Sequence, residues 1–152
     1  MNLLVSVNRI NHIFERVLTN WSGSLLLLFL RWYVAWAFFH SGILKVSNWS
    51  STLALFHDEY KVPLLPPDLA AYAGSFGELF FPIFLFAGLL TRPAALGLFV
   101  VNAMAVISYP QLFGFECPAA IGQHIDWGMS LLILAAFGAG QISLDAWFKR
   151  RE

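Results

Sequence analysis

The sequence predicts an all-α integral membrane protein, a four-helix bundle with two further amphipathic helices. One observation is composition: of 152 residues, 59% are hydrophobic and 12% are charged, whereas an ordinary soluble domain carries about 25% charged residues. The other is the presence of four long apolar segments, because a helix needs about 20 such residues to cross a bilayer. A chain of this length predicts a single membrane domain covering residues 1–152.

The four predicted spans are separated by one long and two short connections. The second and third connections are short, so consecutive spans are expected to be antiparallel. The spans cover about 24–44, 70–90, 94–113 and 124–144.

The two amphipathic segments lie before the first span and after it. Residues 1–22 place apolar side chains at roughly helical spacing and lack the pattern of a cleaved signal peptide, so we expect an interfacial helix on the membrane surface. A helix packed against other protein is the alternative. Ser51–Tyr60 places Leu53, Phe56 and Tyr60 near one face. Prolines follow it, so it should form a short helix in the first outer loop, over one mouth of the bundle.

Basic residues predict the orientation of the bundle, because cytoplasmic loops are enriched in Lys and Arg. Only Lys45 and Lys61 fall on the side of the first connection. The opposite side, which holds both termini, carries six: Arg9, Arg16, Arg92, Lys149, Arg150 and Arg151. Both termini are therefore predicted to be cytoplasmic.

Composition also excludes several classes of function. Cys117 is the only cysteine, which excludes an intramolecular disulfide and a dithiol relay. The formal net charge is zero, so no nucleic-acid surface is expected. A metal site formed by His40, His124 and Glu78 has no supporting ligand spacing, and no metal is predicted.

Three polar residues lie within the predicted spans. Arg31 and Glu78 carry opposite charges in neighbouring spans, and a lone charge at this depth is costly. We expect the Arg31 side chain to reach outward to Glu78, with Asn102 at an intermediate depth. This group is either a buried polar clamp or a functional site.

A second set of polar residues gathers near the predicted outer ends of the spans. His40 shares a face of its helix with Trp36 and points nearly opposite to Arg31. We expect any chemistry to open to the outer side, although outer loops are also polar simply because they are wet. The set comprises His40, Lys45, His57, Glu116, His124 and Asp126.

Several short motifs occur in a characteristic order. Ser41–Lys45 closes the first span, Gly74–Leu79 opens the second, and Gly88–Ala95 forms the next turn. In this order, with Arg31, they resemble the DoxX family of small bacterial four-helix membrane proteins. The resemblance covers roughly residues 24–144. It implies a bacterial inner-membrane location and a group that includes redox-associated proteins, among them a subunit of a thiosulfate:quinone oxidoreductase.

Three functions follow as hypotheses. The first is an accessory component of a membrane redox system that binds a quinone and contacts a redox partner subunit. The second is a binding or transport module for a small solute or metal ion, and the third is an assembly scaffold. The sequence leaves open whether the chain is an enzyme and whether it forms a homo-oligomer.

The predicted topology is testable with reporter fusions. Fusions at Arg92 and at the carboxyl terminus should report cytoplasm, and a fusion near Lys61 should report the outer side, because the basic residues favour that orientation. An external signal from the carboxyl-terminal fusion would contradict it.

Overall fold

The chain is built from α-helices throughout the part that the structure describes. The computed structural model describes residues 2–113 and 119–151, with side chains from residue 21 onward. A 3-10 turn, Pro110–Phe113, follows the fourth helix. The helices are α1 (Asn2–Ser47), α2 (Trp49–Asp58), α3 (Pro67–Ala87), α4 (Thr91–Ser108), α5 (Ala119–Phe137) and α6 (Leu144–Lys149).

Four helical segments are long and apolar enough to cross a membrane, which confirms the predicted number of spans. They are Trp21–Ser47 within α1, and the whole of α3, α4 and α5. The last three begin three to five residues earlier than predicted. Pro67 is the first residue of α3, where its missing N–H costs nothing. Gly88, with φ of +64°, ends α3.

The amino-terminal segment and the first span form one helix. Residues 1–22 were predicted to be a separate interfacial element, but α1 runs from Asn2 to Ser47 without interruption. The predicted helical conformation is confirmed from residue 2 onward. Its placement on the membrane surface stays a prediction, because the side chains of residues 1–20 lie outside the described ones.

The bundle core lies where α1, α3, α4 and α5 meet. α1 packs against α3 and α5, and α4 packs against α3 and α5. We call the end of the bundle that holds α2 the α2 end, and the opposite end the α6 end. The buried core residues are Val34, Ala35, Phe38, Leu85, Ala94, Ala95, Leu98, Leu131 and Leu134.

The short helix α2 confirms the amphipathic element predicted in the first connection. The Asn48 side chain caps its amino terminus. Phe56 is buried against Ala70 and Ala71 in the first turn of α3. α2 therefore covers the beginning of α3 at one mouth of the bundle, as expected.

Arg31 lies at the α6 end, where it is 1% exposed. Its Nη2 donates a hydrogen bond to the carbonyl of Ile142 at 2.8 Å. Its Nη1 packs against Gly88, in the space that a Cβ on that glycine would occupy. A cation is favoured there because Gly88 ends α3, and the last carbonyls of a helix carry negative partial charge. One backbone carbonyl therefore accepts from Arg31, whereas its buried Nε and Nη1 have no hydrogen-bond partner.

Asp145 joins the same end of the bundle through backbone bonds. Its carboxylate accepts from the N–H groups of Leu90 at 2.8 Å and Thr91 at 3.0 Å, where α4 begins. Its own N–H donates to the carbonyl of Gly88 at 2.9 Å. We call Arg31, Gly88, Ile142 and Asp145 the Arg31 clamp. It connects α1, the α3–α4 turn and α6.

Replacing Gly88 with alanine should destabilise the protein. The left-handed backbone costs a non-glycine residue about 1–3 kcal/mol, and the new Cβ would displace the Arg31 guanidinium. We expect a clear fall in the melting temperature of the detergent-solubilised protein. Gly122→Ala is the matched control, because nothing lies within 4 Å of a Cβ added there. Equal melting temperatures of the two variants would contradict the role of Gly88.

Candidate functional site

A cavity of about 470 Å³ lies inside the bundle at the α2 end. This volume falls in the range of about 300–1,000 Å³ that is usual for small-molecule sites. Most of its wall is apolar, including the aromatic rings of Phe38, Phe56 and Trp127. The polar side chains in the wall are Ser41, Lys45, Tyr60, Glu78, Ser108, Tyr109 and His124.

An ion pair between Lys45 of α1 and Glu78 of α3 forms one side of the cavity. Lys45 Nζ lies 2.6 Å from Glu78 Oε1 and 2.5 Å from Oε2. It also donates to Ser41 Oγ at 3.0 Å. The Lys45 and Glu78 side chains are 20% and 8% exposed. An ammonium has three donors, so these three contacts use all of them and the two charges cancel.

Close approach of α1 and α3 makes this pair possible. A Cβ on Gly42 would lie 2.8 Å from Leu79 Cγ and 3.2 Å from Glu78 Cβ. Side chains on a helix tilt toward its amino terminus. Lys45, near the carboxyl end of α1, is therefore directed back into the bundle toward Glu78.

The expected pairing of Arg31 with Glu78 is not found. The same tilt directs Arg31 toward the α6 end, where it bonds to Ile142, while Glu78 bonds to Lys45. The expectation was wrong because it assumed that Arg31 reaches outward along α1. Arg31 therefore belongs to the clamp and not to the cavity.

Asn102 and His124 form a second polar pair, between α4 and α5. Asn102 Nδ2 donates to the His124 carbonyl at 2.9 Å, and Asn102 Oδ1 lies 2.8 Å from His124 Nδ1. In this arrangement His124 Nδ1 is the donor, because the amide oxygen only accepts. The His124 ring packs edge-on against Trp127 with centroids 5.1 Å apart. Asn102 therefore orients His124 in the cavity wall and does not join Arg31 or Glu78.

Tyr60 and Ser108 are cavity residues that the sequence did not identify as site residues. Burial, and secondly the negative charge of Glu78, raises the pKa of Tyr60, so its hydroxyl stays protonated at neutral pH. Ser108 is 3% exposed, and its Oγ has no hydrogen-bond partner. A serine at the end of an apolar span is too common to carry a signal in the sequence.

Three of the other predicted outer residues, His40, His57 and Asp126, do not line the cavity. His40 is exposed on α1, and Asp126 is exposed on α5. His57 bonds to Asp68 at 2.8 Å on the surface, and Glu116 lies outside the described residues. Within those residues, no three His, Cys, Asp or Glu side chains cluster as a metal ion would require.

A double-mutant cycle tests the observed pairing. Lys45→Met and Glu78→Leu should each lower the free energy of unfolding by about 3–5 kcal/mol, because each leaves a buried charge unpaired. The double variant should lose much less than the sum. Thermal and denaturant unfolding in detergent provides the measurement. The control cycle, Arg31→Met with Glu78→Leu, should be additive. Coupling of Glu78 to Arg31 and not to Lys45 would contradict the structure.

Comparison with known proteins shows the family of the chain. The DoxX family matches residues 26–111, more than half of the chain. An uncharacterized protein of Haemophilus influenzae is 36% identical over 129 residues, which cover 82% of this chain and 83% of that relative. No solved structure matches. With its four apolar helices, the chain is a multi-pass membrane protein that belongs to the DoxX family.

Proposed function

We propose that this protein binds the head group of a quinone in the cavity at the α2 end, as an accessory component of a redox system in the bacterial inner membrane. The observation that carries the proposal is the neutral Lys45–Glu78 pair inside a largely apolar, aromatic cavity of about 470 Å³. A redox partner subunit stays a prediction.

The charge balance of the cavity favours a neutral ligand. Lys45 and Glu78 cancel each other, so the wall offers no net charge to attract an ion. A charged solute would lose its hydration without gaining a counterion, which is costly. A neutral head group with oxygen atoms avoids this cost.

Free hydrogen-bonding capacity in the wall matches carbonyl and hydroxyl oxygens. Ser108 has a buried hydroxyl with no partner, which can donate to a ligand carbonyl. The Tyr60 hydroxyl, whose pKa burial moves further above neutral, is a second donor. Glu78 accepts from Lys45 but retains lone pairs, which can accept from a ligand hydroxyl. The oxidised and reduced forms of a quinone present these two groups.

Aromatic side chains supply surfaces for a flat ring. Phe38, Phe56 and Trp127 come from α1, α2 and α5 respectively, and all line the cavity. Stacked and edge-on ring contacts add about 0.5–1.5 kcal/mol beyond burial of area. The cavity therefore combines ring contacts with a few convergent polar groups.

The cellular setting rests on the predicted orientation. With both termini cytoplasmic, as the basic residues indicate, α2 and the cavity lie toward the outer side of the membrane. The association of DoxX-like proteins with membrane redox systems supports a ligand from the quinone class.

Binding of a tail-less ubiquinone to purified protein in quinone-free nanodiscs tests the proposal. Saturable quenching of tryptophan fluorescence is expected, with Trp127→Phe removing most of the signal because Trp127 lines the cavity. Ser108→Ala should weaken binding about fivefold, the effect of one hydrogen bond, without lowering stability, since its hydroxyl has no partner in the protein.

Ser75→Ala is the matched control for that experiment. Ser75 Oγ is also buried without a partner, but Ser75 does not line the cavity, so its replacement should leave affinity unchanged. No saturable binding to the unmodified protein, or equal effects of the two serine variants, would contradict the proposed function.

A further inference from the structure

A second recess lies on the surface of the bundle between α4 and α5. It has a volume of about 340 Å³ and is lined mainly by aliphatic and aromatic side chains, among them Phe99, Val106 and Met129. Both helices are long and apolar enough to cross the membrane. This groove, which we call the α4–α5 groove, therefore faces the hydrocarbon region of the bilayer.

His124 is part of the wall of both the groove and the cavity. Asn102, which lines the groove, holds His124 through its carbonyl and its ring at 2.9 and 2.8 Å. The cavity and the groove thus share the His124 side chain as a common wall. Rotation of the His124 side chain breaks only the hydrogen bond between its Nδ1 and Asn102 Oδ1. The bond from Asn102 Nδ2 to the His124 backbone carbonyl can remain.

We propose that the α4–α5 groove holds the apolar tail of the molecule whose head group occupies the cavity, and that the molecule enters from the bilayer past His124. This inference rests on the proposed function and adds the class of ligand: an amphiphile with a neutral head and a long hydrocarbon tail.

The adjacency of the two recesses at His124 favours the tail of this ligand over an ordinary lipid chain. Phe56, in the cavity wall, packs on Ala70 and Ala71 at the α2 end, whereas the groove adjoins the cavity at His124. The groove offers an adjoining surface of apolar side chains. A hydrocarbon tail that fits the shape of the groove makes more dispersion contacts there than it makes in fluid lipid.

Filling the groove should weaken binding of a tailed quinone selectively. Ala103 lines the groove but not the cavity, and Ala103→Phe would occupy the space of the tail. In nanodiscs, we expect its affinity for decyl-ubiquinone to fall about tenfold, the effect of about two methylene groups denied burial. Its affinity for tail-less ubiquinone should stay unchanged. Val106→Phe, at a second position in the groove, should act in the same way.

The control and the tail-less probe separate this inference from the proposed function. Leu96→Phe places the same new side chain at an exposed position of α4 outside the groove and should affect neither ligand. If tail-less ubiquinone binds but both groove variants retain full affinity for decyl-ubiquinone, the groove holds bilayer lipid and this inference is wrong. If neither quinone binds the unmodified protein, the proposed function fails as well.

Discussion

Neutralisation of the two cations on the inner face of α1 is the constraint on which the bundle depends. Arg31 and Lys45 are fourteen residues apart, which is about 21 Å along a helix and nearly the same side of it. Both face α3, which runs antiparallel to α1. Lys45 meets the Glu78 carboxylate, and Arg31 meets the carboxyl end of α3 beside Gly88. Sliding α1 along α3 would separate Lys45 from Glu78 and Arg31 from the carboxyl end of α3, so the two contacts together fix the register of these helices.

The charged side chains have different partners at the two ends of the bundle. At the α6 end, Arg31 and Asp145 bond to backbone groups of neighbouring segments, and these bonds tie α1, α4 and α6 together. At the α2 end, the Lys45–Glu78 pair lines an open volume, with α2 over the mouth. Irregular backbone is tolerated in a membrane protein where its polar groups are bonded within the protein, and residues 138–143 at the α6 end meet that condition through Arg31 and Ser24. The candidate binding cavity is therefore at the α2 end, whereas Arg31 and Asp145 at the α6 end bond to the backbone.

The sequence predicted the elements of the fold better than the contacts between them. The length of the apolar segments is enough to identify four spans. The ends of α3 depend instead on the backbone conformations of Pro67 and Gly88, which a hydropathy profile does not take into account. The irregular segment after α5, residues 138–143, was included in a predicted span because all its residues except Gln141 are apolar or small. The resemblance to DoxX proteins, carried by motifs at span ends, was confirmed.

The predicted polar contacts were wrong because the prediction used depth in the membrane and not the direction in which side chains point. Depth placed Arg31 within reach of Glu78, but the tilt of side chains toward the helix amino terminus separates these two and brings Lys45 inward. Lys45 and His124 were expected near an outer mouth, and both line the cavity. The bond between Asn102 and His124 depends on how α4 packs against α5, which no local pattern in either helix specifies. Ser108 and Ser75 both have buried hydroxyls without a partner, and only the folded structure shows that Ser108 lines the cavity and Ser75 does not.

The state of the ion pair also determines which wall groups can select a ligand. Each Lys45 donor already has an acceptor, two of them on a carboxylate, and bonds between charged groups are stronger than bonds to a neutral carbonyl. A neutral ligand therefore does not displace Glu78 from Lys45. For the neutral head group that we propose, the groups left to bind it are the Ser108 and Tyr60 hydroxyls, which can donate, and the unused lone pairs of Glu78. In this proposal the ion pair adds no net charge to the cavity and positions the carboxylate, and the neutral hydroxyls select the head group.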